Sequence, residues 1–333
     1  VDSIRIMQVG IGPIGQKIVN YVHEREGLDI VAAVDPAPDK VGMDVGRLCG
    51  LDADLGVIVS SDPGSAVSAA KVDVAVLTTV SSFAACATQA AELAKLGINV
   101  VSTCEEMSYP WDTAPETAGE LDEIARAHNV AILGTGVNPG FLMDFFPVAL
   151  SGVCQNVTSI RVSRLQDAAL RRIPFQQKIG AGLTLSEFED KSNTGKLRHV
   201  GLTQSIQMIA AGLGWKLEKT EDILTPVIAE TDITAGYVPI NAGMAAGVRQ
   251  IGKGWVNGTE RITLDFIAAV GQPNPSDTIE IKGMPEIRST IPGGVNGDIA
   301  TCAITVNAIR SVAHAAPGLR TMIDIPAVSF FAG

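Results

Sequence analysis

Up to about Val137 the chain alternates short aliphatic and β-branched runs with amphipathic stretches. The runs Ile4–Val9, Ile30–Val34, Gly56–Val59, Val72–Thr78, Ile98–Ser102 and Val130–Leu133 predict strands, each followed by a helical pattern or a connecting loop. This is the βαβ rhythm of a parallel, doubly wound sheet. Thr113-Ala-Pro-Glu116 reads as a capping box with Pro near the first helical position, and Leu121, Ile124, Ala125 and His128 follow at helical spacing.

Beyond Val137 the grammar changes to longer alternating strands joined by hairpins. Arg261-Ile-Thr-Leu-Asp-Phe266 puts Ile262, Leu264 and Phe266 on one face and Arg261, Thr263 and Asp265 on the other, the pattern of a half-solvated sheet. Asn257-Gly258 between Gly254–Val256 and that strand is a type I′ hairpin signal. Thr278–Lys282 and Glu286–Ile291 predict further strands, Gly201–Leu213 a helix with Leu202, Ile206, Ile209 and Leu213 on one side, and Ile299–Ala313 a last helix. The expected fold is α/β: a Rossmann doubly wound parallel sheet over 1–137, and a substrate-binding and dimerising α+β domain with a mostly antiparallel or mixed sheet over 138–297. A closing segment over 298–333 is expected to pack back on the first domain.

A chain of 333 residues accommodates about two such domains. Its 36 acidic against 25 basic residues give a net charge of −11, which suits neither phosphate neutralisation on nucleic acid nor an anionic membrane surface. The longest uncharged stretch, Val74 to Ala91, is broken by hydroxyl residues and reads as a strand turning into a helix, not as a membrane span. The five cysteines are scattered and form no C-x-x-C pair, and no basic and apolar leader precedes Ile4. The expectation is a soluble, cytoplasmic protein with reduced thiols.

Gly10-Ile-Gly12-Pro-Ile-Gly15 follows the first strand and opens a helix through Ile18, Val19 and Val22. Gly10 permits the tight turn, Gly12 lets backbone approach a pyrophosphate, and Gly15 allows close packing of helix on strand. The helix N-terminus, with Pro13 and Ile14, then faces the anion. Asp35 stands 35 − 15 = 20 residues after Gly15 at the end of the second strand, where a carboxylate accepts from the adenosine ribose. Asp35 disfavours a 2′-phosphate and no arginine follows it, so NAD is favoured over NADP, with Lys40 tempering that preference. Thr78, Thr79 and Ser81 end the fourth strand at the same sheet edge and are expected either to line the cofactor groove or, for Ser81 or Ser82, to cap the next helix.

After the fifth strand, Ser102-Thr-Cys-Glu-Glu106 leaves Glu105 and Glu106 at the edge where a nicotinamide should lie. Partial desolvation and a like-charged neighbour suit a carboxylate to proton transfer near neutrality. On extended backbone only one of the two faces the substrate, and Glu106 is favoured. Cys104 reads as an inert strand-end side chain. Gly134-Thr-Gly-Val-Asn-Pro-Gly-Phe141 forms a tight turn at the domain junction, either a structural hinge or part of a ligand site. Of the four histidines, His23, His128 and His314 sit on helical patterns, leaving His199 as the pocket candidate; no spacing resembles a metal site.

Together with Tyr109-Pro-Trp111, Asn138-Pro-Gly-Phe141, Arg171-Arg172 through Gln177-Lys-Ile-Gly-Ala-Gly182, and Gly297-Asp-Ile-Ala-Thr301 with Asn307, these motifs resemble the NAD(P)-dependent amine dehydrogenases related to 2,4-diaminopentanoate dehydrogenase. The resemblance spans nearly the whole chain. It implies a fold similar to dihydrodipicolinate reductase, although the His-His and Lys-x-Asp-x-Pro-Ser-Gly-Thr signature of the true reductases is missing. It further implies reversible oxidative deamination of a primary amine, with no metal. The resemblance assigns the amine and proton transfer to Glu106 or Glu105. It places Asn138 and Asn307 at the cofactor, Pro139 and Phe141 over the nicotinamide, and Arg161, Gln166, Arg171, Gln177 and His199 around the pocket.

An amino-acid dehydrogenase would use fixed cations to clamp a carboxylate, a role open to Arg161, Arg164, Arg171 and Arg172. The expectation is that simple amines without an α-carboxylate are accepted and that the chain forms a homodimer. A C=N or C=O reductase that needs no ammonia, and a non-catalytic dinucleotide sensor, are the alternatives.

Overall fold

Each of the six apolar runs of the first 137 residues forms a strand, with bounds that move by a few residues. In the computed structural model, which describes residues 3–68, 70–169, 171–195, 197 and 199–332, these elements are β1 (Ile4–Val9), α1 (Pro13–His23), β2 (Leu28–Val34), α2 (Val45–Leu48), β3 (Val59–Ser60), α3 (Pro63–Val67), β4 (Val74–Leu77), α4 (Phe83–Lys95), β5 (Asn99–Ser102), α5 (Pro115–Ala127) and β6 (Ala131–Gly134). There follow α6 (Phe145–Ser151), β7 (Asn156–Asp167), α7 (Ile173–Lys178), α8 (Leu185–Asn193), α9 (Leu202–Gly212), β8 (Lys219–Ile228), β9 (Ala245–Val256), β10 (Thr259–Ala269), β11 (Ser276–Met284) and β12 (Ile287–Pro292). The chain closes with α10 (Gly297–Ala313) and β13 (Gly318–Arg320). It divides into two units, Val1–Phe141 with Asn296–Gly333, and Leu142–Val295.

The first unit holds a parallel sheet in the order β13-β6-β5-β4-β1-β2-β3. All four residues of β4 are buried, and Cys86, Ala90 and Leu93 of α4 close over this part of the sheet. The strand order reverses beside β1, so the carboxyl ends of β1 and β4 flank the crevice where doubly wound sheets bind ligands. Strand β13, three residues long, carries too little sequence to show a period. Helix α5 begins at Pro115 with Ala114 as its N-cap and no side-chain cap bond. With the cap one residue later than Thr113, Glu116 no longer occupies the third helical position and the expected capping box does not close.

The second unit is a mixed sheet in the order β12-β11-β7-β10-β9-β8, parallel only between β7 and β10. The β9–β10 hairpin turns on Asn257 (φ 52°) and Gly258 (φ 70°), both left-handed as a type I′ turn requires. Helix α9 lays Leu202, Ile206 and Ile209 on the sheet. It comes close because β9 offers Gly252 and Gly254, where an added Cβ would stand 2.7 to 2.9 Å from Ile206 or Leu202 atoms. On the outer face Asp265, expected to be solvated, is buried beneath Arg249 (2.8 Å) and Arg161 (3.6 Å). Among the described residues no helix is long and apolar enough to cross a membrane.

Candidate active site

The glycine motif folds as its spacing demands. Gly10 is left-handed (φ 85°), and a Cβ on Gly15 would stand 2.0 Å from the Gly10 carbonyl oxygen, so only glycine lets α1 start this close to β1. Gly12, the N-cap of α1, has open space where a Cβ would go, and the first turn of α1 has no side-chain cap. Its N–H groups are left for an anion. Two buried or half-buried polar side chains brace the loop from below: Gln8 Nε2 donates to the Gly10 carbonyl (2.9 Å) and to Thr78 Oγ1 (2.9 Å), and Thr78 Oγ1 donates to the same carbonyl (2.8 Å). Gln8 escaped the sequence reading, although a fully buried amide inside an apolar strand is the signal that would have found it.

These residues border a groove of about 440 Å³ lined by Gly10, Gly12, Asp35, Lys40, Thr78 and Thr79 among others. Asp35 Oδ2 accepts from Ile11 N (2.8 Å) and Lys40 Nζ (2.7 Å), and Oδ1 accepts from Ala37 N (3.0 Å). Burial works against its charge, but the bonds from Lys40, Ile11 and Ala37 outweigh burial and hold the carboxyl below its ordinary range. A groove with a helix N-terminus at its middle and an anionic hydrogen-bond acceptor at the end of β2 fits a dinucleotide: pyrophosphate at Gly12, adenosine ribose at Asp35. Ser81 does not line the groove; its carbonyl accepts from Cys104 Sγ (3.1 Å).

Beyond β5 the two glutamates lie on a 3-10 turn, Glu105–Ser108, and not on extended backbone. Consecutive side chains on such a turn diverge by about 120°, and here they part company. Glu106 Oε2 accepts from Phe83 N (2.8 Å), the first residue of α4, and so supplies the N-terminal cap that Ser82 does not. Glu105 makes no side-chain hydrogen bond among the described residues; its carbonyl accepts from Ser108 Oγ (2.8 Å). The β5 end stands two strands from β1, about 10 Å along the sheet edge. With the adenosine of a dinucleotide at Asp35 on the β2 side, its other half would extend toward β4 and β5.

The turn rests on the end of β6. A Cβ on Gly134 would stand 2.5 to 2.8 Å from Met107 atoms, most of them backbone. Gly134→Ala is therefore expected to push the turn off its seat, leaving dinucleotide affinity within about 3-fold and lowering turnover about 100-fold. Fluorescence titration alongside initial rates checks it. The Cys104 thiol is pushed far up by its hydrogen bond with Cys86 and by burial, so it stays protonated and is no nucleophile.

The other expected residues lie on the loop after β6, on α10 and in the second unit. Asn138 and Pro139 are buried in a loop where a Cβ on Gly140 would stand 2.5 Å from Gly136 N, and Phe141 ends the unit half-buried. Asn307 is placed away from the glycine loop. Its Oδ1 accepts from Arg25 (2.5 Å) beyond the C-terminal end of α1, a helix whose 11 residues span about 16 Å.

In the second unit Arg161 sits on the outer sheet face beside Asp265, and Gln177 is exposed on α7. It is Gln176 that turns inward, donating to the Arg171 carbonyl (2.8 Å) and accepting from Tyr237 N (3.0 Å). Gln166 is buried, accepts from Arg171 Nη1 (3.0 Å) and donates to the Val295 carbonyl (3.1 Å).

His199 packs its ring on Phe266 at 4.5 Å between centroids, with Nδ1 out of solvent. Burial, reinforced by Lys178, Arg164 and Arg171, pushes its imidazole down to about 3. Unfolded, the same group titrates near 6.5, so between these values the unfolded chain binds a proton that the folded chain refuses. Stability contributed above pH 6.5 is lost on acidification, by up to about 1.4 kcal/mol per pH unit, down to about pH 3. Urea midpoints measured from pH 7 to 4 are expected to fall less steeply in His199→Leu than in the wild type.

The sequence and fold have counterparts. Residues 4–105 match the model of the dihydrodipicolinate reductase N-terminus, and residues 141–333 that of the 2,4-diaminopentanoate dehydrogenase C-terminal domain. A 2,4-diaminopentanoate dehydrogenase of Acetoanaerobium sticklandii is 30% identical over 98% of this chain and 94% of its own, and an amine dehydrogenase of Streptomyces virginiae is 25% identical over 95% and 94%. The solved structure of an amine dehydrogenase from Mycobacterium smegmatis superposes with a TM-score of 0.85 at 25% identity, over 99% of this chain and 98% of that one. With a glycine loop and carboxylate that fit a dinucleotide and a family match covering more than half its length, the chain belongs to the 2,4-diaminopentanoate dehydrogenase family, NAD(P)-dependent dehydrogenases of amines on the dihydrodipicolinate reductase-like fold.

Proposed function

We propose that the chain interconverts a primary amine with the corresponding ketone or aldehyde and ammonia, and that Glu105 is the group that moves the protons. The observation that carries this reading is the division of labour on the 3-10 turn: Glu106 is committed to the α4 N-terminus, whereas the Glu105 carboxylate has no hydrogen-bond donor among the described residues. A nicotinamide cofactor, when bound in the groove at Gly12 and Asp35, would supply or take up the hydride.

In the direction of amination, Glu105 takes a proton from ammonium and frees ammonia, which attacks the carbonyl carbon, and a proton passing from the attached nitrogen to the carbonyl oxygen gives a neutral hemiaminal. Glu105 then gives the proton it took from ammonium to the hydroxyl, which leaves as water. Its regained charge stabilises the iminium cation that accepts hydride. In deamination the same carboxylate takes a proton from the water that attacks the iminium.

The cofactor favoured by Asp35 is NAD. Substrates without an α-carboxylate are favoured because Arg161 is paired with Asp265 and Arg164 with Asp277. The free thiols support a cytoplasmic setting. The outer face of the second sheet, where Ile223 and Ile251 stand side by side among charged pairs, supports a homodimer, which light scattering on the purified protein would weigh.

The test is oxidation of simple primary amines and of 2,4-diaminopentanoate, the compound in the relative's name, with NAD and NADP. Reduced cofactor and ammonia released in equal amounts are the expected result. Cofactor reduction by alcohols but by none of the amines would overturn the reading.

A further inference from the structure

Resting on the dinucleotide reading of the groove, we infer that Gln89 and Glu92 of α4 read the base of the dinucleotide, so that the site prefers adenine to a base whose edge has the opposite polarity, such as hypoxanthine. With pyrophosphate at Gly12 and ribose at Asp35, the base falls to the stretch of groove between Pro36, just after β2, and α4, which follows β4; β1 lies between those two strands. Apolar walls suffice to hold a flat base, and Pro63 and Leu93 line this stretch. Two polar side chains of α4 nevertheless line it as well. Gln89, Glu92 and Leu93 stand at i, i+3 and i+4, so one face of the helix presents all three.

The amide of Gln89 has a fixed polarity. Its Oε1 accepts from Thr79 Oγ1, which commits the oxygen and leaves the Nε2 donors for another partner. Thr79 is itself held against the glycine loop, since a Cβ on Gly10 would stand 2.9 Å from its methyl group. Glu92 is exposed, takes no hydrogen bond or ion pair among the described residues, and as a carboxylate can only accept. Helix α4 therefore offers a donor and, one turn further on, an acceptor. The edge of adenine away from its sugar carries the complement of that pair: the N1 acceptor beside the N6 amino donor. Hypoxanthine reverses this edge, with O6 accepting and N1–H donating. It would set a carbonyl oxygen against Glu92 and an N–H against Gln89 Nε2, so both contacts are lost and the two side chains are left unpaired against the base.

The decisive measurement is the dissociation constant of NADH and of reduced nicotinamide hypoxanthine dinucleotide, read by fluorescence titration, for the wild type, Glu92→Ala and Glu92→Gln. The wild type is expected to bind NADH at least about fivefold more tightly than the hypoxanthine form. Glu92→Ala is expected to cut that ratio to less than half by weakening NADH. Glu92→Gln is expected to cut it further, because its amide can turn Nε2 toward O6 and tighten the hypoxanthine form, which a general loosening of the groove would not do. A wild-type ratio below fivefold, or a ratio that is not at least halved in both variants, overturns the inference while leaving the dinucleotide reading in place. Binding of neither cofactor by the wild type would overturn the dinucleotide reading, and this inference with it.

Discussion

Glu105→Gln is expected to lower turnover by roughly 10² to 10⁴-fold while the affinity for NADH changes by less than about 3-fold. The amide keeps the size and the hydrogen-bonding reach of the side chain but cannot take the proton from ammonium or stabilise the iminium. Glu106→Gln acts on a different link. Its amide oxygen still accepts from Phe83 N–H, but the negative charge at the α4 N-terminus is gone, which costs about 0.3–1 kcal/mol of helix stabilisation. Turnover in Glu106→Gln is expected to stay within about tenfold of the wild type, with a lowered thermal midpoint. Stopped-flow rates of NADH oxidation and a melting curve on both variants separate the roles. A Glu106→Gln loss as large as that of Glu105→Gln would return the proton-transfer role to Glu106, which the sequence alone favoured.

Arg164→Met is expected to destabilise the second unit by about 3–5 kcal/mol, the cost of leaving a buried charge uncompensated. The Arg164 and Asp277 side chains keep 2% and 5% exposure at 3.4 Å. Burial pushes the guanidinium down to about 10 and the Asp277 carboxyl up, each resisted by the partner's charge. Both grip the last residue of the unit: Arg164 Nη2 donates to the Val295 carbonyl (2.9 Å), and Val295 N donates to Asp277 Oδ2 (2.7 Å). Asp277→Leu is expected to cost a similar amount. The double variant Arg164→Met with Asp277→Leu should be less destabilised than the two singles summed, because neither charge is stranded. Urea unfolding of the four proteins measures this cycle; simple additivity would show that the pair acts through packing and not through charge.

The elements that the sequence announces most clearly are those whose meaning is local. Gly10, Gly12 and Gly15 act through backbone conformation and close approach, and Asn257-Gly258 through two positive φ angles, so spacing suffices to read them. What stayed hidden depends on a neighbour distant in sequence or on rotation about a helix axis. That Glu106 rather than Ser82 caps α4 depends on β4 and β5 lying side by side. Gln176 and Gln177 are equivalent as letters, and the phase of a helix of six residues decides which one turns inward. Asn307 fell on a helical segment whose packing partner is the far end of α1, and nothing local to it reports that. The Arg164–Asp277 pair joins two strands that meet only in the folded sheet.

The central claim is ammonia chemistry at Glu105, and the most direct test is NADH or NADPH oxidation by the purified protein with small ketones and aldehydes, with and without a high concentration of ammonium. Turnover that requires ammonium, yields the amine and collapses in Glu105→Gln is the predicted result. Turnover indifferent to ammonium would contradict it and make the chain a carbonyl or imine reductase on this fold.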